Sequence, residues 1–403
     1  MEKSKTNRLV GQGYQLTFIL ITLLFFMWGF ARAILDVLNK HFQNTLEISI
    51  TQSTLIQVTT YLCYFIMAIP AGIFINRHGY RQGVILGLVL FATGALLFIP
   101  ADSIGTFTAF LGALAVLGCG LTFLETAANP YSTELGPKET ATSRLNLSQS
   151  FNGLGSIFAP LIIGRFLFSS EDSNVALPYT IMGIVVLLVA VLFTRAKLPE
   201  IPNTEDTSNE ASSEGNLKQL FHHGHFVLGL IALLAYEVSE ISINSYFINF
   251  VTGEGWLSLT QASDILAVAL AFFMVGRFIG SWVMQRISAE KVLLYCASGS
   301  VLCMALVLVH LGTLSYIALV ANYVFEAIMF PTIFSLALKG LGHLTKSASS
   351  VLMMAPVGGC GFLLMGWIAD RWSLITPFVI PLIGYVLVWL FAFRSTRKSN
   401  SLS

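Results

Sequence analysis

Residues Phe107–Pro130 read FTAFLGALAVLGCGLTFLETAANP, an apolar run whose only charged side chain is Glu125. Roughly 20 apolar residues cross a bilayer as a helix, so the run is long enough to span. A carboxylate at that depth costs about 3 kcal/mol or more unless it faces a cavity or a partner. Glu125 is therefore the first candidate for function. The competing reading is a glutamate near a helix end that snorkels or pairs with a neighbour.

Outward from this run, the composition is of one kind. The chain of 403 residues is 55% hydrophobic and 11% charged, with a mean hydropathy of +0.76. Soluble domains carry about 25% charged residues, and no soluble core absorbs this much apolar surface. The chain reads as an all-α, polytopic membrane protein. The net charge of +1 is uninformative, but the sequence has no basic tract to bind phosphates, and no nucleic-acid partner is expected. Cys63, Cys119, Cys296, Cys303 and Cys360 all fall in apolar segments, without metal-site or disulfide spacing, and read as small buried hydrophobes. The first apolar run, Leu16 to Phe30, follows Lys3, Lys5 and Arg8 and continues into membrane-length sequence, so it reads as a retained first helix.

Twelve apolar segments lie near 15–39, 52–75, 83–100, 106–130, 145–168, 178–195, 225–250, 262–285, 291–310, 314–338, 347–369 and 375–394. A polar stretch between the sixth and seventh has nothing to bury and reads as a linker. This divides the chain into a six-helix half at 1–196, a linker at 197–220 and a six-helix half at 221–403. Basic residues fall in alternate loops: Arg77 and Arg81, Lys138 and Arg144, Arg195, Lys197 and Lys218, Arg286 and Lys291, Lys339 and Lys346, then Arg394, Arg397 and Lys398. The other side holds little beyond Lys40, Arg165 and Arg371. The positive-inside rule then puts both termini and the linker in the cytoplasm. The halves also echo each other. Glu125 precedes Pro130 by five residues, as Glu326 precedes Pro331, and Gly72–Arg77 has a looser counterpart in Gly280–Arg286.

Further candidate residues stand inside the segments. Arg32 and Asp36, four apart, share a helical face in the first. They either neutralise each other, or Asp36 titrates against a substrate or proton gradient beside the guanidinium. Alternatively Arg32 binds an anionic group of the substrate, since guanidinium forks fit carboxylates. Asn129 follows Glu125 by one turn. Asn146, Gln149 and Asn152 form a polar stripe on the fifth segment, and Arg144 reads as a structural ion pair at the cytoplasmic boundary. The seventh carries Tyr236, Glu237, Glu240, Asn244, Ser245, Tyr246 and Asn249, with Tyr236, Glu240 and Asn244 on one face. Amides beside acids and an aromatic ring suit a hydroxyl-rich ligand such as a sugar. Hydrogen bonding between helices is the alternative for both sets, and for Glu326 in the tenth segment. Gly358, Gly359 and Gly361 read as points of close helix approach.

The run Gly72-Ile73-Phe74-Ile75-Asn76-Arg77-His78-Gly79-Tyr80-Arg81 resembles the loop signature G-x-x-x-D-R-x-G-x-R of the major facilitator superfamily, with Asn76 where an acid is usual. Four further stretches resemble the fucose permease family of that superfamily. They are Phe123–Tyr131 with Leu135-Gly136-Pro137, Arg144–Asn152, Gly276-Arg277-Phe278 with Gly280, and Pro331–Leu336. The resemblance implies the major facilitator fold: twelve transmembrane helices in two related six-helix halves working by alternating access. It implies proton-coupled sugar symport, with Asp36 at the family's proton-coupling acid and Glu125 tied to both sugar and proton. Gln149 and Asn152 match cavity-lining polar positions, and Glu240 stands where the family has a glutamine or glutamate. The family's asparagine pair before the helix 1 acid is replaced here by Arg32 and Ala33, which leaves fucose itself in question.

The expectation is a monosaccharide–proton symporter of the inner membrane, working as a monomer, without a cofactor. Proton coupling falls to Asp36 and Glu125. Substrate binding falls to Glu125, Asn129, Gln149, Asn152, Tyr236, Glu240, Asn244 and Arg32. Alternatives are a symporter of an acidic sugar such as a sialate or hexuronate, an efflux antiporter for amphipathic compounds, and a sensor that binds sugar without moving it. An enzyme is not expected: the sequence has neither a G-x-x-x-x-G-K-[ST] loop nor metal spacing.

Overall fold

The computed structural model describes residues 10–11, 13–137, 141–169, 174–195, 219–284, 286–341, 344, 348 and 351–400. The linker expected at 197–220 lies outside them but for its last two residues, as do Lys138, Lys346 and the side chains of Asn76 and Asn146. The described chain is helical, with no strand. Its helices are α1 Gln15–Thr45, α2 Ile50–Ile75, α3 Arg77–Ile104, α4 Phe107–Glu134 and α5 Ala141–Ala159, the last prolonged by a π-helical turn, Pro160–Gly164, and by Arg165–Ser169. After these come α6 Ala176–Arg195, α7 Gly224–Gly253, α8 Leu259–Val283, α9 Ala289–Val309, α10a Thr313–Glu326, α10b Met329–Leu338, α11 Phe362–Arg371 and α12 Val379–Asn400.

Among the described residues, 11 helices are long and apolar enough to span a membrane. The expected eleventh segment, 347–369, is not one unbroken helix. Val351 and Leu352 are helical, Ala355–Gly361 is a 3-10 stretch, and the α-helix resumes at Phe362. Pro356 lacks the backbone donor a helix interior needs, and Gly358, Gly359 and Gly361 lower the helix propensity of the turn after it. The tenth segment also breaks, at Ala327–Ile328. Pro331 cannot donate to the Ala327 carbonyl four residues back, and Arg277 Nε takes up that oxygen at 3.2 Å.

The chain forms two compact units, Met1–Leu35 with Leu62–Glu205, and Asp36–Tyr61 with Asp206–Ser403. In the first, α1 meets α5 where a Cβ on Gly29 would stand 2.0 Å from the Asn152 carbonyl oxygen, and one on Gly155 2.1 Å from that of Phe26. Only hydrogen atoms fit there. On its outer faces α6 exposes Leu177, Ile181, Ile184, Leu188 and Leu192. A helix with its apolar side chains outward and its backbone satisfied internally is built for lipid.

In the second unit α7 is the central post, packed by α8, the Ala355–Gly361 stretch, α10b and α12. Every residue from Ile241 to Val251 is buried, polar ones included. Capping boxes open α2 and α8. Ser49 Oγ accepts from Gln52 N at 3.1 Å and Gln52 Oε1 from Ser49 N at 2.9 Å; Ser258 and Gln261 repeat this at 3.3 and 3.0 Å. The two sequences, Ser49-Ile50-Thr51-Gln52 and Ser258-Leu259-Thr260-Gln261, begin the second helix of each half. They form a further internal echo, one that hydropathy does not register.

Candidate functional site

In the first unit α4 carries Glu125 half-buried, with Leu124 buried at its side. The Thr122 and Thr126 hydroxyls donate to carbonyls one turn back, Gly118 O at 2.9 Å and Thr122 O at 2.8 Å. They are thus satisfied within α4, and the carboxylate is its distinctive group. Arg32, half-buried on α1, is the cation whose field acts on Glu125. One turn beyond Glu125, Asn129 Oδ1 accepts from Gln149 Nε2 of α5 at 3.2 Å. Glu125, Arg32, Asn129 and Gln149 thus belong to one polar set contributed by three helices. Asn152 is used differently. Its Nδ2 donates to Phe25 O at 3.2 Å, and its own carbonyl accepts from Ser156 Oγ at 3.2 Å, so its amide helps hold α1 against α5.

Two arginines of the same unit donate to carbonyls. Arg144, fully buried, donates from Nε to Ser132 O at 3.0 Å and from an Nη to Pro137 O at 3.1 Å, tying down the chain that leaves α4. Arg81 donates to Thr194 O at 2.7 Å at the end of α6. A groove lined by Phe18, Ile19, Thr22, Leu23, Phe26, Leu147 and Phe151 is apolar but for the Thr22 hydroxyl, which donates to Phe18 O at 2.8 Å.

The second unit holds Asp36, Tyr236, Glu240 and Asn244. Asp36 Oδ1 accepts from Ser245 Oγ of α7 at 2.6 Å, and Ser245 Oγ accepts from Gln57 Nε2 of α2 at 3.0 Å. Asn244 Nδ2 donates to Glu240 Oε1 at 2.9 Å, one turn away, leaving its buried Oδ1 without a partner. Tyr236 is buried, its ring centroid 6.4 Å from that of Phe330. The expected face Tyr236–Glu240–Asn244 is therefore a helix-borne polar strip with an open amide oxygen. Glu237 and Asn249, also on α7, are buried with unsatisfied atoms, Glu237 Oε2 and both amide atoms of Asn249. Gly358 and Gly361 are packing points: a Cβ on either would stand within 3.0 Å of α7 atoms.

Sequence reasoning missed Gln57, which completes the chain to Asp36, and the pair Asn322 and Tyr385 around Glu326. These are neutral residues in apolar segments. Only the period-of-four placement of Asn322 and Glu326 signals one of them in advance.

Comparison with known proteins identifies the family and the fold. The family model described as Major Facilitator Superfamily matches residues 17–361. A glucose/galactose transporter of Brucella abortus is 37% identical over 406 residues, covering 98% of this chain and 97% of that protein. An L-fucose-proton symporter of Escherichia coli K12 is 34% identical over 421 residues, covering 96% of this chain and 95% of that one. The crystal structure of FucP, a major facilitator transporter in the outward conformation, matches with a TM-score of 0.71 at 33% identity, over 95% of this chain and 99% of that one. A D-xylose-proton symporter of known structure shares the fold, with a TM-score of 0.76 at 15% identity over 93% of this chain.

Proposed function

The chain belongs to the major facilitator superfamily, in the group of the fucose permeases, and from that premise we propose that it imports a neutral monosaccharide together with protons. The observation that carries this reading is the polar set of the first unit. A half-buried carboxylate, Glu125, shares it with a guanidinium and an amide pair, in a helix otherwise apolar along its membrane-length run. A lone carboxylate there is costly, and protonation removes the charge that would otherwise have to be desolvated as the site closes. Glu125 and Asp36 are the proton-coupling acids in this reading. Gln149, Asn129, Tyr236, Glu240 and Asn244 hold sugar hydroxyls. Asn152 contributes its oxygen while its nitrogen braces α1. The relatives named for glucose, galactose and L-fucose support a neutral hexose.

The moving parts are the six-helix halves at 1–196 and 221–403, joined by the linker at 197–220, exposing the site to either side in alternation. In this reading the protein sits in the cell inner membrane, its basic loops supporting cytoplasmic termini, and works as a monomer. No enzymatic step and no cofactor enter.

The test is uptake into sealed vesicles against a panel of neutral and acidic monosaccharides, with and without an imposed proton gradient. Gradient-dependent uptake of a neutral hexose is expected. Glu125→Gln should abolish accumulation against the gradient while leaving sugar exchange; unchanged accumulation removes Glu125 from coupling. Uptake confined to acidic sugars would move Arg32 into the binding site. No uptake of any sugar would leave an efflux antiporter or a sensor as the better reading.

A further inference from the structure

Glu326 ends α10a and is fully buried. Its Oε2 accepts from the Tyr385 hydroxyl of α12 and from Asn322 Nδ2 at 2.8 Å, and Asn322 Nδ2 also lies 3.0 Å from the Tyr385 oxygen. Its Oε1 is buried without a hydrogen-bond partner, as are Asn322 Oδ1 and the Tyr323 hydroxyl beside it. The ionisable groups around it come from every neighbouring element. They are Tyr236 and Glu240 of α7, Cys303 of α9, Tyr323 of α10a and Tyr385 of α12, while Glu237 and Arg277 act on Tyr236 and Asp36 acts on Tyr323. Among the described residues no lysine or arginine pairs with it, since the Arg277 Nε goes to the next carbonyl, that of Ala327. The charged side chain acting on it directly is Glu240, of its own sign.

Two protonation states compete in this cage. An ionised Glu326 would carry a full charge in a fully buried position, beside the carboxylate side chain of Glu240 and with no lysine or arginine partner among the described residues. A buried charge without a partner costs several times what a buried neutral polar group costs. A neutral Glu326 fits the donors as they stand. Oε2 is then the carbonyl oxygen, accepting both hydrogen bonds, and Oε1 carries the proton on the side left open. We propose that Glu326 is a further proton-carrying site, separate from Glu125 and Asp36, protonated on Oε1 in the conformation seen here and exchanging that proton with water once per transport cycle. Tyr323, within electrostatic reach of Glu326, Asp36 and Glu240 and with its hydroxyl uncommitted, is the neighbour placed to take part in that exchange. That Glu326 holds a proton is independent of the function proposed above; that it exchanges the proton each cycle rests on it.

The experiment compares the full chain with Glu326→Gln in reconstituted vesicles by two readouts. Difference infrared spectroscopy at neutral pH should show the carbonyl band of a protonated carboxyl in the wild type that is missing from the variant. Each coupled proton contributes about tenfold accumulation per pH unit of imposed gradient. The variant's accumulation limit should therefore fall by about that factor while sugar exchange continues. Absence of the band overturns the proposal. A band with an unchanged accumulation limit overturns the cycling step, since the acid is then a permanently neutral donor. If the wild type takes up no sugar with protons, the transport function fails, and the band alone decides whether Glu326 holds a proton. Should the glutamine variant fail to assemble, Tyr385→Phe keeps the ring and removes one donor to Oε2. It should move the band to higher frequency, and a band that stays in place overturns the assignment.

Discussion

Arg32 is a guanidinium in a membrane helix, where a cation persists only beside an anion or an opening to water. The field it exerts on Glu125 favours a carboxylate partner within the protein over one on the substrate. Arg32→Gln should therefore lower uptake of a neutral hexose by about ten- to a hundredfold, the range of ~1.4–2.8 kcal/mol for one charge-assisted contact. It should leave the preference for neutral over acidic sugars unchanged; a variant that loses only acidic substrates would overturn this. Asp36 accepts from a neutral group, the Ser245 hydroxyl. Ser245→Ala removes the 2.6 Å donor to Asp36 and the 3.0 Å acceptor for Gln57 together. It should cost about 1–3 kcal/mol, read as a lower melting temperature in detergent, since both groups lose a buried partner. An unshifted melting point would mean that water replaces the hydroxyl. Asp36 and Glu125 were legible in the sequence because a carboxylate in an apolar run announces its own cost. Gln57, Asn322 and Tyr385 were not, because a neutral amide or phenol costs little wherever it stands, and only the fold shows that Gln57 of α2 meets Ser245 of α7.

Among the helices, those that follow hydropathy are the ones the sequence described well, since a long apolar run has no stable state in lipid other than a helix. Interruptions follow local chemistry. Glu125 and Glu326 both precede a proline by five residues, yet α4 continues to Glu134 while α10 breaks directly after Glu326. The difference lies in a partner: Arg277 captures the Ala327 carbonyl that Pro331 leaves free. An arginine fifty residues away in sequence is invisible to spacing. Close approach likewise depends on which residue the glycine meets. A Cβ on Gly155 would stand 2.1 Å from the backbone oxygen of Phe26, whereas one on Gly112 has nothing within 4 Å. Gly155→Ala should then separate α1 from α5 and destabilise by about 1–3 kcal/mol, the range for overpacking a tight contact. Gly112→Ala should leave the melting temperature unchanged or raise it slightly, by the helix propensity that alanine adds. Equal effects at the two positions would mean that helix propensity, not the α1–α5 contact, governs both.

For the whole molecule, the sequence revealed twelve segments in two related halves, but not that Asp36–Tyr61, early in the chain, would pack with Asp206–Ser403. Hydropathy and echoing motifs report what each helix is, and carry no information on which neighbour its ends select in one state of a cycle. That selection is made at the end where α1 stops and α2 begins, the side poor in lysine and arginine. Asp370, at the end of α11, accepts from Ile50 N at 3.1 Å, Thr51 N at 2.8 Å and Thr51 Oγ1 at 2.5 Å. A carboxylate on the first amides of a helix complements its dipole. One turn earlier on α11, a Cβ on Gly366 would fall 2.5 Å from Thr54 Cγ2, so the two elements are in contact there. In an alternating-access cycle this contact has to part whenever the site faces that side. Asp370 is exposed, so its bonds contribute about 1 kcal/mol, well below a buried set. Asp370→Ala should then raise the open population about fivefold. The measurement is the maleimide labelling rate of a cysteine placed at Thr54, in a chain whose five native cysteines are replaced. A rate that rises severalfold, with the melting temperature little changed, makes Asp370 a latch. An unchanged rate would assign the closure to the Gly366–Thr54 contact, and Gly366→Ala would then be the variant that opens it.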